Sequence, residues 1–259
     1  MPSEAPVAGI SPSARISPRA QIGEGCAIGE FTIVHDNVVL GGGSTVESHC
    51  ILGHPTPLAE DRPLVIGPGA LIRSHSVFYE GSSFGPGLVT GHRVTVREKL
   101  AAGVNLQIGT LGDFQGHATI GDYVRTHSSV FIAHHAQIGN FVWIFPHVVL
   151  TDDPHPPSEV RRGVVVEDYA SIATMSAIMP GIRIGARSLV AAHSLVNKDV
   201  APDTVVGGVP ARFLCESSKI LHEQTGRPAY PWMRHFRRGY PGEILASWAR
   251  QFPDEGGRP

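Results

Sequence analysis

The sequence predicts an all-β protein, a solenoid of short parallel strands laid three to a coil, and three observations carry that prediction. First, apolar residues recur every six positions, a period that suits neither the 3.6 of a helix nor a plain alternation. Read in sixes, Ala102 up to the next opener, Leu150, runs AGVNLQ, IGTLGD, FQGHAT, IGDYVR, THSSVF, IAHHAQ, IGNFVW, IFPHVV. Second, hexads open at residues 10 to 58, 66 to 150 and 166 to 196, and 28 of these 30 openers are hydrophobic, the exceptions being Thr90 and Thr126. In a chain of this composition about 13 would be hydrophobic by chance. Third, the fifth position is Ala, Ser, Thr, Cys, Val or Gly in 24 of the 30. Thirty hexads, three to a coil, make about ten coils.

Each hexad then reads as one side of a coil. Strands of about four residues are expected, with positions one and five pointing inward and positions three and four making the corner. Gly at position two is read as a permissive exit from the strand. Composition agrees: 30 Gly and 21 Pro supply corners, and 7% aromatic residues suit a narrow core. A net charge of −2 points to neither nucleic acid nor a membrane surface. No apolar run approaches the length of a membrane span, and the N-terminus lacks a signal-peptide profile. Cys26 and Cys50 fall on inward fifth positions and Cys215 lies beyond the repeat. They read as core fillers in a reducing compartment rather than a disulfide set, and a cytoplasmic protein is expected.

Taken in order, residues 1–9 read as a lead-in, 10–206 as the solenoid and 207–259 as a C-terminal helical cap and tail. Ile10 to Leu58 is expected to form three coils. Near Asp61, HPTPLAEDRP slips the phase by two positions, as a bulged corner or short loop would. Ile66 to Leu150 makes five coils. The interval from Leu150 to Val166 is too long for the repeat, and its excess, TDDPHPPSEVRRGVV, reads as a loop at 151–165. Loops leaving a regular scaffold often carry function. Two further coils run from Val166 to about Asp199. Ala211 to Thr225 reads as a helix ended by Gly226, covering the open strand edges of the last coil. A second helix is expected near Glu243 to Gln251. The aromatic and arginine-rich tail reads as a packing arm across a neighbouring subunit, or as a phosphate site at Arg234, Arg237 and Arg238.

Positions three hexads apart stack on neighbouring coils, which places Lys99, His117, His135 and Asp153 in one column and Glu98, Gly116, His134 and Asp152 beside it. His75, His147 and His193 fall on other columns and read as subunit contacts, and His127 as packing.

The hexads, the segment after LTDDPHPP and the ending VVGGVPARFL resemble the left-handed β-helix acyltransferases. The nearest likeness is to enzymes that acetylate nucleotide-linked amino sugars, particularly 3-amino deoxy sugars. Their GHNxxIRE-like, EGHCxIG-like and TNDxxP-like stretches are matched by GHRVTVRE (91–98), QGHATIG (115–121) and LTDDPHPP (150–157). The likeness covers roughly residues 10–215. The chain differs from the pattern at Gln115, Asp152 and Arg212 and in its long tail. The resemblance implies a left-handed coil and transfer of an acyl group, with acetyl the first expectation, from acyl-CoA to the amine of a nucleotide-linked sugar. It implies His117 as general base. From the columns and the loop, acceptor contacts are expected from His92, Arg97, Glu98, His134, His135, Asp152 and Asp153, and no metal is expected. The resemblance places the acyl-CoA arm along the C-terminal coils, against Ala173, Thr174, Ala191 and Arg212, at a subunit groove of a homotrimer. With no Cys or Ser beside a His in a nucleophile pattern, direct attack without an acyl-enzyme is expected. An O-acceptor, a zinc hydratase like the γ-class carbonic anhydrases using His49 and His54, and a non-catalytic solenoid used for assembly are the other readings.

Overall fold

The computed structural model describes residues 9–252, so most of the expected lead-in and the end of the tail lie outside it. Within it the chain winds as a three-sided parallel solenoid. Face 1 holds ten strands from Arg15–Ile16 to Leu195–Val196, and face 2 holds nine from Gln21–Ile22 to Arg183–Ile184. Face 3 holds eleven from Ala27–Ile28 to Ala211–Glu216, of which only the last pair is antiparallel. Bridges from Ile10 to Ile28 and from Ile184 to Val200 extend the ladders at both ends, giving the ten coils expected. Most strands are two residues long, not four, because the corner begins as soon as the opener has turned inward.

Register follows the repeat. Thr95 pairs with Asp113 and Asp113 with Phe131, each three hexads further along. Openers such as Leu52, Ile72, Phe114, Ile132 and Leu150 are fully buried, and so are fifth-position residues such as Cys50, Ser76 and Val148. Both exceptional openers, Thr90 and Thr126, are buried as well. Buried hydroxyls in the core are satisfied by backbone: the Ser76 hydroxyl donates to the Arg73 carbonyl at 2.7 Å and accepts from the Val94 N–H at 3.2 Å. Each such pair ties neighbouring coils together without leaving a polar atom unpaired.

Glycine at position two has a different cause from the one expected. On face 2, Gly23, Gly41, Gly67, Gly85, Gly103, Gly121, Gly139 and Gly185 all occupy it, with no left-handed φ. A Cβ on Gly41 would stand 2.3 Å from the Pro68 nitrogen, and on Gly185 2.5 Å from the Pro202 nitrogen. Close approach of the next coil, not conformational freedom, demands glycine there. The left-handed residue is instead position four, and it is more often another residue than glycine. Lys99, His117 and His135 take it on the edge between faces 1 and 2. Asn105, Tyr123, Phe141, Tyr169 and Arg187 take it between faces 2 and 3, and His49, His75, Leu111, His147 and His193 between faces 3 and 1. Such a conformation costs about 1–2 kcal/mol per residue, and stacking along the edges offsets it: Tyr123, Phe141 and Tyr169 lie ring on ring at 5.2 and 5.0 Å.

Two further expectations are corrected. Leu58 is not an opener but is exposed on a loop that contains the short 3-10 turn Pro57–Ala59. Of the two readings of this break, a bulged corner or a short loop, it is the loop: Val38 pairs with Leu64 where the unbroken repeat would bring Thr56. The second interruption is longer still: Gln137 pairs with Val165 where the repeat would bring His155. Ala211–Glu216 is a strand, paired antiparallel with Thr204–Gly208, and not the start of a helix. Val205 and Val206 continue face 3, and the Gly-Gly-Val-Pro turn reverses the chain, so pairing to that open edge wins over helical propensity.

The helix Gly242–Gln251 forms as expected. It does not cover the last coil. With Trp232, Met233 and Tyr240, its Trp248 packs on Tyr123, Phe141, Trp143 and Tyr169, clamping the tail to the edge between faces 2 and 3 of its own chain. The Trp232 Nε1–H donates to the Tyr169 carbonyl at 3.1 Å. Among the described residues no helix is long and apolar enough to cross a membrane.

Candidate functional site

Both long insertions leave the solenoid at the same edge, where face 1 passes to face 2. Between them lie Lys99, His117 and His135, one above another. His117 and His135 ring centroids are 5.5 Å apart, and His117 and His134 6.2 Å. At one end the first insertion closes on the column, with Glu60 accepting from the Lys99 ammonium. At the other the second insertion begins at Asp152 and Asp153. The result is a histidine-lined edge bracketed by two loops.

His134 is the best-held imidazole of this edge. Its Nδ1–H donates to Asp152 Oδ2 at 3.1 Å, which leaves Nε2 as the lone-pair nitrogen. Arg161 then holds both loop carboxylates, with Nε 3.4 Å from Asp152 and Nη1 3.2 Å from Asp153. Asp153 itself turns into the loop rather than joining the column. The Ser158 hydroxyl donates to it at 2.6 Å, and the N–H groups of His155 and Ser158 at 2.9 and 2.7 Å. The Ser158 hydroxyl above all, helped by those N–H groups and by Arg161, holds its carboxyl down at about 2. The loop returns to face 2 through Gly163, where a Cβ would stand 1.8 Å from the His135 carbonyl oxygen.

His117 bonds through its backbone, its N–H donating to the Glu98 carbonyl at 3.1 Å. Burial lowers its pKa first, and the charges of Lys99 and His135 lower it further, which favours the neutral ring. Gly116 separates Glu98 from His134 in the adjoining column, and a Cβ there would meet the Glu98 carbonyl at 2.1 Å. Glu98 is only 1% exposed and is matched by Arg97, whose Nε and Nη2 each lie 3.3 Å from its oxygens. Arg97 also lies over the Tyr79 ring at 5.6 Å. Gln115 donates to Asp113 at 2.8 Å, and burial raises the Asp113 carboxyl.

The edge therefore brings together His117, His134, His135, Asp152, Arg97 and Glu98, with Asp153 one step away in the loop. It does not bring His92, which sits on the edge between faces 3 and 1, hydrogen-bonded to Ser74 at 2.9 Å and 3.7 Å from Glu47. Ala173, Thr174 and Ala191 also lie toward that second edge, and Arg212 is exposed on the terminal hairpin. Sequence reasoning missed Glu60 and Arg161. Both lie in insertions, where no period places them, and only the loops' return paths bring them to the edge. His49 stacks between Phe31 and His75, whereas His54 packs on His35 and Tyr79, so the two do not converge. Among the described residues no group of three His, Cys, Asp or Glu side chains is placed to hold a metal ion.

A three-sided hexad solenoid with a carboxylate-held histidine on one edge defines a class: a parallel β-helix with an edge site. No family model matches the chain. Over 82 residues it is 34% identical to the 2,3,4,5-tetrahydropyridine-2,6-dicarboxylate N-acetyltransferase of Staphylococcus aureus, a match that covers 32% of this chain and 34% of that protein. Over 87 residues it is 34% identical to the galactoside O-acetyltransferase of Escherichia coli, a match that covers 30% of this chain and 43% of that protein. The matched stretch thus spans between a third and less than half of these relatives. The Arabidopsis UDP-N-acetylglucosamine acyltransferase shares the fold across 96% of this chain and 85% of its own, with a TM-score of 0.69 at 20% identity. The LpxA protein of Acinetobacter baumannii does so with a TM-score of 0.53 at 21% identity. The chain is thus similar to acetyltransferases over about a third of its length, and it shares the fold of these solved acyltransferases.

Proposed function

We propose that this chain is an acyl-CoA-dependent N-acyltransferase whose acceptor is a nucleotide-linked amino sugar, bound at the histidine edge. The observation that carries the reading is the His134–Asp152 hydrogen bond on an edge enclosed by two loops. A carboxylate on Nδ1 fixes the tautomer, aims Nε2 outward and favours the imidazolium that forms when the ring takes a proton. His134 is then the base that deprotonates the acceptor amine as it attacks the thioester carbonyl. The amine nitrogen bonds to the acyl carbon, the carbon–sulfur bond breaks and CoA leaves as the thiol. His117, favoured by the resemblance and held toward its neutral form, is the second candidate for that role. Asp152, Arg161 and the Arg97–Glu98 pair orient the acceptor. Direct attack is supported by the cysteines: Cys26 and Cys50 are buried, and burial pushes the Cys50 thiol up to about 11.

In a single chain the histidine edge and the groove of Ala173, Thr174 and Ala191 lie on different edges. A homotrimer in which one chain's histidine edge faces its neighbour's groove would unite them, and Arg212 would meet a CoA phosphate there.

The test is a panel of nucleotide amino sugars incubated with acetyl-CoA and read by mass spectrometry, with His134→Ala and His117→Ala assayed separately. Loss of about 10²–10⁴-fold in kcat for His134→Ala, with a smaller loss for His117→Ala, supports the assignment; the reverse order moves the base to His117. Inactivity of the unaltered protein on every amine, or full activity of both variants, overturns the reading. An active panel with hydroxyl acceptors only makes it an O-acyltransferase. Light scattering checks the trimer.

A further inference from the structure

A cavity of about 440 Å³ opens on face 3 where the C-terminal arm crosses it. Arg73, Arg125 and Arg238 line it together with Trp143, His127 and Phe236, and no carboxylate is among its lining residues. Arg73 is matched by Glu47 at 3.3 Å. Among the described residues Arg125 and Arg238 have no carboxylate partner. Arg125 stacks over Trp143 at 5.0 Å and over Tyr240 at 4.4 Å, and one of its N–H groups donates to the Gly239 carbonyl at 3.1 Å. Arg238, brought in by the arm, is exposed at the mouth. His127 stacks on Phe145 at 4.8 Å, and burial lowers its pKa, so this wall is flat, aromatic and uncharged. Thr110, Ser128 and Gln107 add donors and acceptors along the floor.

From this arrangement we infer that the cleft between face 3 and the C-terminal arm binds a nucleoside phosphate, its base against the Trp143–His127 wall and its phosphates between Arg125 and Arg238. The size lies within the range of small-ligand sites. Two unmatched guanidiniums beside aromatic rings suit a ligand that is both planar and anionic, and neither a plain anion nor an apolar ring uses the whole surface. The site lies on a different face from the histidine edge, and it depends on the proposed function only for the choice of nucleotides to try. Two sources share this chemistry, the nucleotide of the acceptor and the adenosine phosphate of acyl-CoA.

The measurement is titration of the intact protein with UDP, dTDP, adenosine 3′,5′-bisphosphate and pyrophosphate, followed by calorimetry and by tryptophan fluorescence, since Trp143 forms the wall. Saturable binding of one nucleotide, at least tenfold tighter than pyrophosphate, is expected, with a Trp143 signal. Arg238→Ala, an exposed substitution that leaves the fold alone, weakens it about tenfold or more; Arg125→Lys does the same while the thermal midpoint holds. UDP or dTDP as the tight ligand assigns the cleft to the acceptor, and the bisphosphate assigns it to the acyl donor. His134→Ala leaves this binding unchanged. Absence of nucleotide binding, binding indifferent to both arginine substitutions, or pyrophosphate binding as tightly as nucleotides overturns the inference. Nucleotide binding by a protein that transfers no acyl group would refute the proposed function and keep this one.

Discussion

At the scale of single residues, the histidine edge is shaped by ordinary side chains in a conformation usually left to glycine. His117 and His135 are left-handed, which throws their rings out of the coil and onto one another. His117 is held below its ordinary 6.5 first because it is part-buried and then because the Lys99 ammonium lies beside it. The unfolded chain takes up the proton first, so this group weakens the fold as pH falls through 6.5. If His117 is the base, the acid limb of kcat/KM lies below 6.5, and Lys99→Met moves it upward; a limb that does not move in that variant leaves His134 as the titrating group. Arg97 makes a pairing that the motif alone did not reveal. It neutralises the buried Glu98, so Arg97→Ala is expected to cost about 3–5 kcal/mol in urea unfolding. Arg97→Ala/Glu98→Ala together should cost less than Arg97→Ala alone. That non-additivity separates a buried pair from an acceptor contact.

At the scale of elements, the two insertions and the C-terminal arm are where the chain departs from its repeat. The second insertion is held by Asp153, whose carboxyl sits at about 2 against an ordinary 3.8. Its contribution is complete above the ordinary value and is lost as pH falls toward 2. Protection against hydrogen exchange at 154–162, taken relative to the intrinsic rate at each pH, is therefore expected to be high at pH 5 and to fall near pH 2, ahead of the coils. The arm contributes through its aromatic cluster. Trp232 is 6% exposed, stacks edge-on against Trp143 and Trp248, and bonds to Tyr169. Trp232→Ala should cost about 3–5 kcal/mol of arm docking, seen as a separate, earlier melting step while the solenoid transition stays in place. A single unchanged transition would show that the arm adds nothing.

At the scale of the whole molecule, each coil touches only its neighbours, so stability is close to a sum over coils. Removing residues 17–34, one full turn, joins Ile16 to His35 and keeps every later register, since Ile16 already pairs with Val34. That variant is expected to fold with a lower unfolding midpoint. Removing 17–31 instead, half a hexad short of a full turn, should abolish cooperative unfolding. Circular dichroism on both checks this. The sixfold spacing determined the three-sided coil, the buried openers and the stack of Lys99, His117 and His135, because a local period copies itself onto space without any distant information. The same spacing showed where the repeat breaks but not how much chain each break holds, and it counted Leu58 as core. Only the tertiary structure decided that both insertions open on one edge, that Asp152 rather than Asp153 meets the histidines, that residues 211–216 pair as a strand, and that the tail closes on its own chain. Those outcomes depend on contacts between segments far apart in sequence, such as Glu60 with Lys99 and Arg125 with Gly239. No periodicity carries such pairs, because what selects them is which surfaces the finished coils leave uncovered.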